Sequence, residues 1–104
     1  QLGMIHHLQG DYSEAVKLYE QSLEIARELG DRFGIALDLG QMGRIKEKSK
    51  DFEGALSDYI TALSIFEELR SPYRDTTKKL IARLRETMGK EAFQEGLSRL
   101  GGSS

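Results

Sequence analysis

Apolar side chains recur along this chain at helical spacing, with polar ones between them. From about residue 12 to 29, Ala15, Tyr19, Ser22, Leu23 and Ala26 fall at i, i+4, i+7, i+8 and i+11, one stripe of a helix, while Lys17, Glu20, Glu24 and Arg27 lie outside it. Ala36, Leu39, Met42 and Gly43 form a second stripe in a helix expected from about Arg32 to Ser49. A third helix is expected from about Phe52 to Leu69. Ser71-Pro72 then reads as a helix start, Ser as N-cap and Pro at the first helical position, for a helix reaching about Met88. Gly89 breaks that helix, and Lys90 to Leu100 is expected to form a short last one with Phe93, Leu97 and Leu100 as its apolar face. At the other end, Gly10 is placed to stop a helix already running at residue 1. Asp11, with Glu14 three residues on, has the pattern of a capping box for the next. Gly30-Asp31 and Asp51 repeat this stop-and-cap logic. The sum is an all-α chain of about six helices, ending in a frayed Gly101-Gly102-Ser103-Ser104 tail.

The pattern also repeats as a block. Gly10-Asp11-Tyr12-Ser13-Glu14-Ala15-Val16-Lys17-Leu18-Tyr19 returns 40 residues later as Lys50-Asp51-Phe52-Glu53-Gly54-Ala55-Leu56-Ser57-Asp58-Tyr59. The same offset pairs Leu23 with Leu63, Ile25 with Ile65, Glu28 with Glu68 and Leu29 with Leu69, and sets Gln1 to Gln9 against Gln41 to Ser49. The expected organisation is a helical-repeat domain over 1–100, comprising a first repeat cut short (1–30), a full repeat (31–70) and capping helices (71–100), followed by the tail at 101–104. Because residue 1 falls inside a helix, the chain is expected to be a fragment of a larger multi-repeat protein. A helix pair of this kind leaves an apolar face that only a neighbouring pair can bury, so the pairs must stack.

Two helices per repeat, with Leu2-Gly3-x2-His6 then Ala15-x3-Tyr19, and Leu39-x2-Met42-Gly43-x2-Lys46 then Ala55-x3-Tyr59, resemble the tetratricopeptide repeat. The small residues Gly3, Gly43, Ala15 and Ala55 suit close helix approach, and Tyr19 and Tyr59 are expected to fill the gap to the next pair. There are departures. No Trp occurs, His6 and Lys46 stand where Tyr is usual, and Arg27 and Glu67 stand where Pro would close the second helix. Without that Pro the second helix runs on, which accounts for a period of 40 rather than 34 and is similar to the longer-helix arrays of kinesin-light-chain-type and nucleotide-switch regulator proteins. The ending, from Ser71 to Phe93, is similar to the segment that closes such arrays in large prokaryotic signalling proteins.

The resemblance implies a right-handed superhelical stack, a non-enzymatic scaffold, and a partner protein's peptide or helix bound on the concave face lined by the first helix of each pair. Leu37, Gln41, Arg44 and Lys48 sit opposite the buried stripe at i, i+4, i+7 and i+11 and are the candidate contacts. Their first-repeat equivalents are Met4 and Leu8; the third-repeat equivalents are Thr77, Ile81, Leu84 and Met88. Ile81 is kept as a candidate contact, although Ile81, Leu84 and Met88 with Leu80 also read as a core seam. Chaperone-tail binders of this family clamp a carboxylate with Lys and Asn at inner positions. Met4, Gln41, Arg44, Thr77 and Ile81 do not reproduce that clamp.

Composition narrows the alternatives. There is no Cys, and so neither disulfides nor thiolate metal sites, and no window approaches the roughly 18 continuous apolar residues of a membrane span. The expectation is a cytoplasmic protein without cofactor or metal. Net charge is −2, unevenly spread: Gly10 to Asp31 is acidic, while Arg70 to Lys90 carries seven basic residues against Asp75 and Glu86. Arg44, Lys46, Lys48 and Lys50 with Arg74, Lys78, Lys79, Arg83 and Arg85 form a possible basic strip for an acidic or nucleic-acid ligand. Nucleic acid is disfavoured because no aromatic residues interleave with those charges. Catalysis is disfavoured too. Adjacent His6 and His7 point about 100° apart on a helix, and the carboxylates fall on solvated faces. A third expectation is homodimerisation, through apolar surface of the Tyr12 to Leu29 helix that an incomplete first helix leaves open.

Overall fold

A computed structural model describes residues 2–101, with side chains over 12–101. Among the described residues there are five helices and no strand: α1 (Leu2–Leu29), α2 (Arg32–Lys48), α3 (Phe52–Glu68), α4 (Tyr73–Met88) and α5 (Lys90–Leu100). Each packs on the next in sequence, and α5 also reaches back to α3.

Three junctions share one construction, spaced 20 residues apart. Gly30, Lys50 and Arg70 have φ of 69°, 69° and 56°. The following N–H groups, of Asp31, Asp51 and Ser71, donate to the carbonyls of Ala26, Lys46 and Phe66, each at 2.8 Å. A left-handed residue with this bond closes a helix by satisfying carbonyls that the last turn leaves over. The next helix is then capped. Asp31 accepts from the Gly34 N–H at 2.9 Å, Asp51 from Gly54 at 3.1 Å, and the Ser71 hydroxyl oxygen from Tyr73 at 3.2 Å. Pro72 precedes α4 instead of opening it, so that helix starts one residue later than expected.

Gly10-Asp11 carries the same turn chemistry, yet α1 runs straight through it. The two helices expected on either side are one, so five helices are described where about six were expected, and the expected Asp11 cap lies outside the residues whose side chains are described. A helical turn survives only if the helices it joins dock. Continuing the helix keeps its backbone groups paired across the junction, at a cost of only about 1 kcal/mol for a mid-helix Gly.

Two clusters make the core. The first joins Leu23 and Ala26 of α1, Ile35, Ala36, Leu39 and Met42 of α2, and Ala62, Ile65 and Phe66 of α3. The second joins Ala55, Leu56 and Tyr59 of α3 with Leu84 of α4 and Phe93 of α5. The stripe of Ala36, Leu39, Met42 and Gly43 is buried as expected. On α1 the outcome is mixed, with Leu23 and Ala26 buried, Ala15 and Tyr19 half-buried and Ser22 exposed. On α5 the apolar face ends early: the second cluster reaches Leu97, and Leu100, a turn further on, is exposed.

Candidate functional site

Because α2 and α4 both pack on α3, a groove runs between them, floored by Phe66. Leu37, Gly40, Gln41 and Arg44 form the α2 wall; Tyr73, Thr76, Thr77 and Leu80 form the α4 wall. Its volume is about 110 Å³. That suits an inserted side chain better than a small-molecule ligand, whose pockets run to roughly 300–1,000 Å³. Thr77 is buried with its hydroxyl donating to the Tyr73 carbonyl at 2.9 Å, so it turns its methyl group rather than a free hydroxyl to the groove.

Phe33, Phe66 and Tyr73 gather at one end of the groove. Their ring centroids are 6.1 Å (Phe33–Phe66), 5.5 Å (Phe66–Tyr73) and 5.8 Å (Phe33–Tyr73) apart, spacings at which aromatic rings attract through their edges and faces. Phe33 and Tyr73 remain exposed. They occupy the same repeat position, 40 residues apart. The sequence signal that marks them is that offset, together with their place one turn before Leu37 and Thr77 on the stripe opposite the buried one.

Of the expected contacts, Leu37, Gln41 and Arg44 come together in the groove, and Thr77 joins them from α4. Arg44 is exposed and has no carboxylate partner among the described residues. Lys48 is also exposed but lies a helical turn beyond, outside the lining. Ile81 and Met88 pack against the second core cluster, and Leu84 is wholly buried in it. Met4 and Leu8 lie outside the residues whose side chains are described.

Polar contacts tie α2 to α3 beside this face. Lys46 Nζ lies 2.9 Å from Asp58 Oδ2, with both side chains largely buried. The contact is an ion pair, since Oδ2 lacks an aligned hydrogen-bond donor. Burial pushes the Asp58 carboxyl above the usual carboxylate range, and Lys46 opposes that shift. The Tyr59 hydroxyl donates to Glu47 Oε1 at 2.8 Å. Burial first, and then the Glu47 carboxylate, raise the phenol well above its ordinary value. Arg83 Nη2 stands 3.7 Å from the same Glu47 oxygen, and Lys78 Nζ 3.8 Å from Glu67. Lys46, Arg83 and Lys78 of the expected basic strip therefore each stand within 4 Å of a carboxylate.

A wider cleft of about 400 Å³ lies between α1 and the far end of α2, with Lys17, Glu20, Lys46 and Asp51 among its walls. Its charged lining includes Lys46, already held by Asp58, and it brings together no catalytic set. Among the described residues no three His, Cys, Asp or Glu side chains are grouped to hold a metal ion, and no helix is long and apolar enough to cross a membrane.

A family model described as the tetratricopeptide repeat matches residues 1–68. No curated protein and no solved structure gave a match. The matched span ends with α3 and takes in both copies of the 40-residue block, one of which forms the docked α2–α3 pair. Repeat, packing and family match agree, and the chain belongs to the tetratricopeptide-repeat family of protein–protein interaction modules.

Proposed function

We propose that the chain is a non-enzymatic scaffold holding a peptide or helix of a partner protein in the groove between α2 and α4. The observation that carries this reading is the groove's composition: an apolar cleft of side-chain size bounded by rings at one end, with Arg44, which has no carboxylate partner among the described residues, on its wall. Apolar anchors in such a cleft supply affinity, and a charge at the edge supplies orientation. The fitting partner carries a bulky apolar side chain with an Asp or Glu close by to meet Arg44. On this reading 31–70 is the complete repeat and 71–100 supplies the second wall and the cap.

Panning a random peptide display library on the chain tests it. The expected result is a consensus of an apolar residue flanked by a carboxylate. A synthetic consensus peptide should lose tenfold or more in affinity for a Gln41→Ala, Arg44→Glu variant that remains helical, as removal of a charged hydrogen bond worth about 1.5–3 kcal/mol requires. Equal binding to both proteins would move recognition off this face.

A further inference from the structure

The groove between α2 and α4 is bridged at both ends. At one, the Phe33 and Tyr73 rings meet with centroids 5.8 Å apart. At the other, Arg83 Nη2 of α4 stands 3.7 Å from Glu47 Oε1 of α2. The first bridge joins the starts of the two helices and the second their later turns, so α2 and α4 run side by side in the same direction. Leu37 to Arg44 on one wall, and Thr76 to Leu80 on the other, lie between the two bridges, with buried Ala36 and Phe66 behind them. The space is thus a bounded pit, not a channel.

One lining residue accounts for the room in it. A Cβ added to Gly40 would meet nothing within 4 Å, and Gly40 lies between Leu37 and Arg44 on the groove side of α2. The backbone does not ask for glycine there, since the residue sits in mid-helix and is not among those with positive φ. Glycine weakens a helix interior relative to alanine. At Gly40 it does so without relieving any contact inside the chain, and what it leaves is space on the groove face.

The size of that space selects an occupant. About 110 Å³ is open, whereas an apolar cavity of about 150 Å³ is what holds a benzene ring. A Leu, Ile or Met side chain suits the smaller volume, and a Phe or Trp ring does not enter it whole. The inner surface is chemically matched to an aliphatic group: Ala36, Leu37, Phe66 and Leu80 offer carbon, and the Thr77 hydroxyl is taken up by the Tyr73 carbonyl.

We propose that Gly40 sets the specificity of the groove: the pit beside it takes one aliphatic side chain, of Leu, Ile or Met, from a partner peptide and rejects aromatic ones. Such selection rests on the groove being the peptide site proposed for it, and adds the size of the anchor. Arg44, exposed on the same wall and without a carboxylate partner among the described residues, complements an acidic residue next to that anchor.

The probe is the consensus peptide recovered by panning on the chain, synthesised with Leu, Met, Phe or Trp at its apolar anchor and followed by fluorescence anisotropy. The Leu and Met forms should bind roughly tenfold more tightly than the Phe and Trp forms, as expected where an apolar pocket meets a misfitting group. Gly40→Ala and Gly40→Leu fill the pit from within the chain. Affinity for the Leu form should fall stepwise, by about tenfold at Gly40→Leu, while the urea midpoint holds or rises. Weaker binding by a variant that is no less stable separates filling of the pit from damage to the fold. A consensus with a ring at its anchor, or one that binds Gly40→Leu as tightly as the parent chain, would overturn the proposal; if the Gln41→Ala, Arg44→Glu variant still loses that peptide, the groove remains the peptide site. Binding that survives both sets of substitutions, or panning that yields no consensus, would overturn the two readings together.

Discussion

At Gly43 the Tyr59 ring comes so close that an added Cβ would lie 2.6 Å from its Cε1, with the Ala55 carbonyl oxygen at 3.3 Å. The ring cannot retreat freely, since its hydroxyl is bonded to Glu47 and its body is wholly buried. Gly40, one turn earlier on the same helix, has nothing within 4 Å of the same added atom. The two glycines should therefore respond oppositely to alanine. Gly43→Ala should destabilise by about 1–3 kcal/mol, because overpacking outweighs the gain in helix propensity. Gly40→Ala should stabilise by roughly 0.5–1 kcal/mol, the backbone-entropy difference between the two residues. Urea denaturation followed by ellipticity measures both, and the idea of a close approach at Gly43 fails if both variants move the same way. In the sequence, position 43 was legible as the small residue of a repeat motif, and the buried stripe through it was legible from spacing. Nothing in the residue type separates it from Gly40, since the difference lies in what another helix brings opposite.

The elements are set by their ends. Lys50 and Arg70 hold the left-handed conformation that Gly30 holds at the equivalent junction, and a side chain there costs roughly 1–2 kcal/mol in steric conflict. Lys50→Gly and Arg70→Gly should each raise stability by about 0.5–1 kcal/mol once the extra freedom of glycine in the unfolded chain is subtracted. Gly30→Ala should lower it by a similar amount. Melting temperatures of the three variants decide this; a loss at Lys50 or Arg70 would mean that the side chain contributes more than its backbone strain removes. The bounds of α2, α3 and α5 were nearly all readable beforehand, because Asp31, Asp51 and Gly89 act through bonds within a few residues of themselves. The continuity of α1 was not readable. Gly10-Asp11 is as good a turn as Gly30-Asp31 by composition, and whether such a turn bends is decided by what packs on either side of it.

Across the whole molecule α3 is the shared element, contributing Ala62, Ile65 and Phe66 to one core cluster and Ala55, Leu56 and Tyr59 to the other. Damage to either cluster is therefore transmitted through one helix. Leu84→Ala, at a fully buried site contributed by α4, should cost about 2–5 kcal/mol as transfer and cavity terms add. The loss should appear as one unfolding transition moved to lower denaturant, with amides of α2 and α4 losing hydrogen-exchange protection together. A second transition, with α1 and α2 still protected, would show that the pairs unfold as separate units. The same sharing explains the groove, since α2 and α4 wall a cleft only because both rest on α3. It explains too why Ile81, Leu84 and Met88 turn towards the core while their repeat mates Gln41, Arg44 and Lys48 stay exposed. As one of the two helices that follow α3, α4 is drawn onto it through the most apolar stripe it has.

By itself the sequence determined the helical class, the 40-residue period, most helix ends and the family. These rest on interactions within a turn or two of the chain or on self-similarity, and both are written in residue order. The tertiary structure alone decided three things. It showed that Gly10-Asp11 does not bend, that Leu37, Gln41 and Arg44 share a groove with Tyr73 and Thr77, and that Leu18, Ile25 and Leu29 face outward. Each is settled by which surfaces are brought together across a long sequence separation. Burial of apolar area is non-directional, so local pattern names a face that needs cover, and packing decides what covers it.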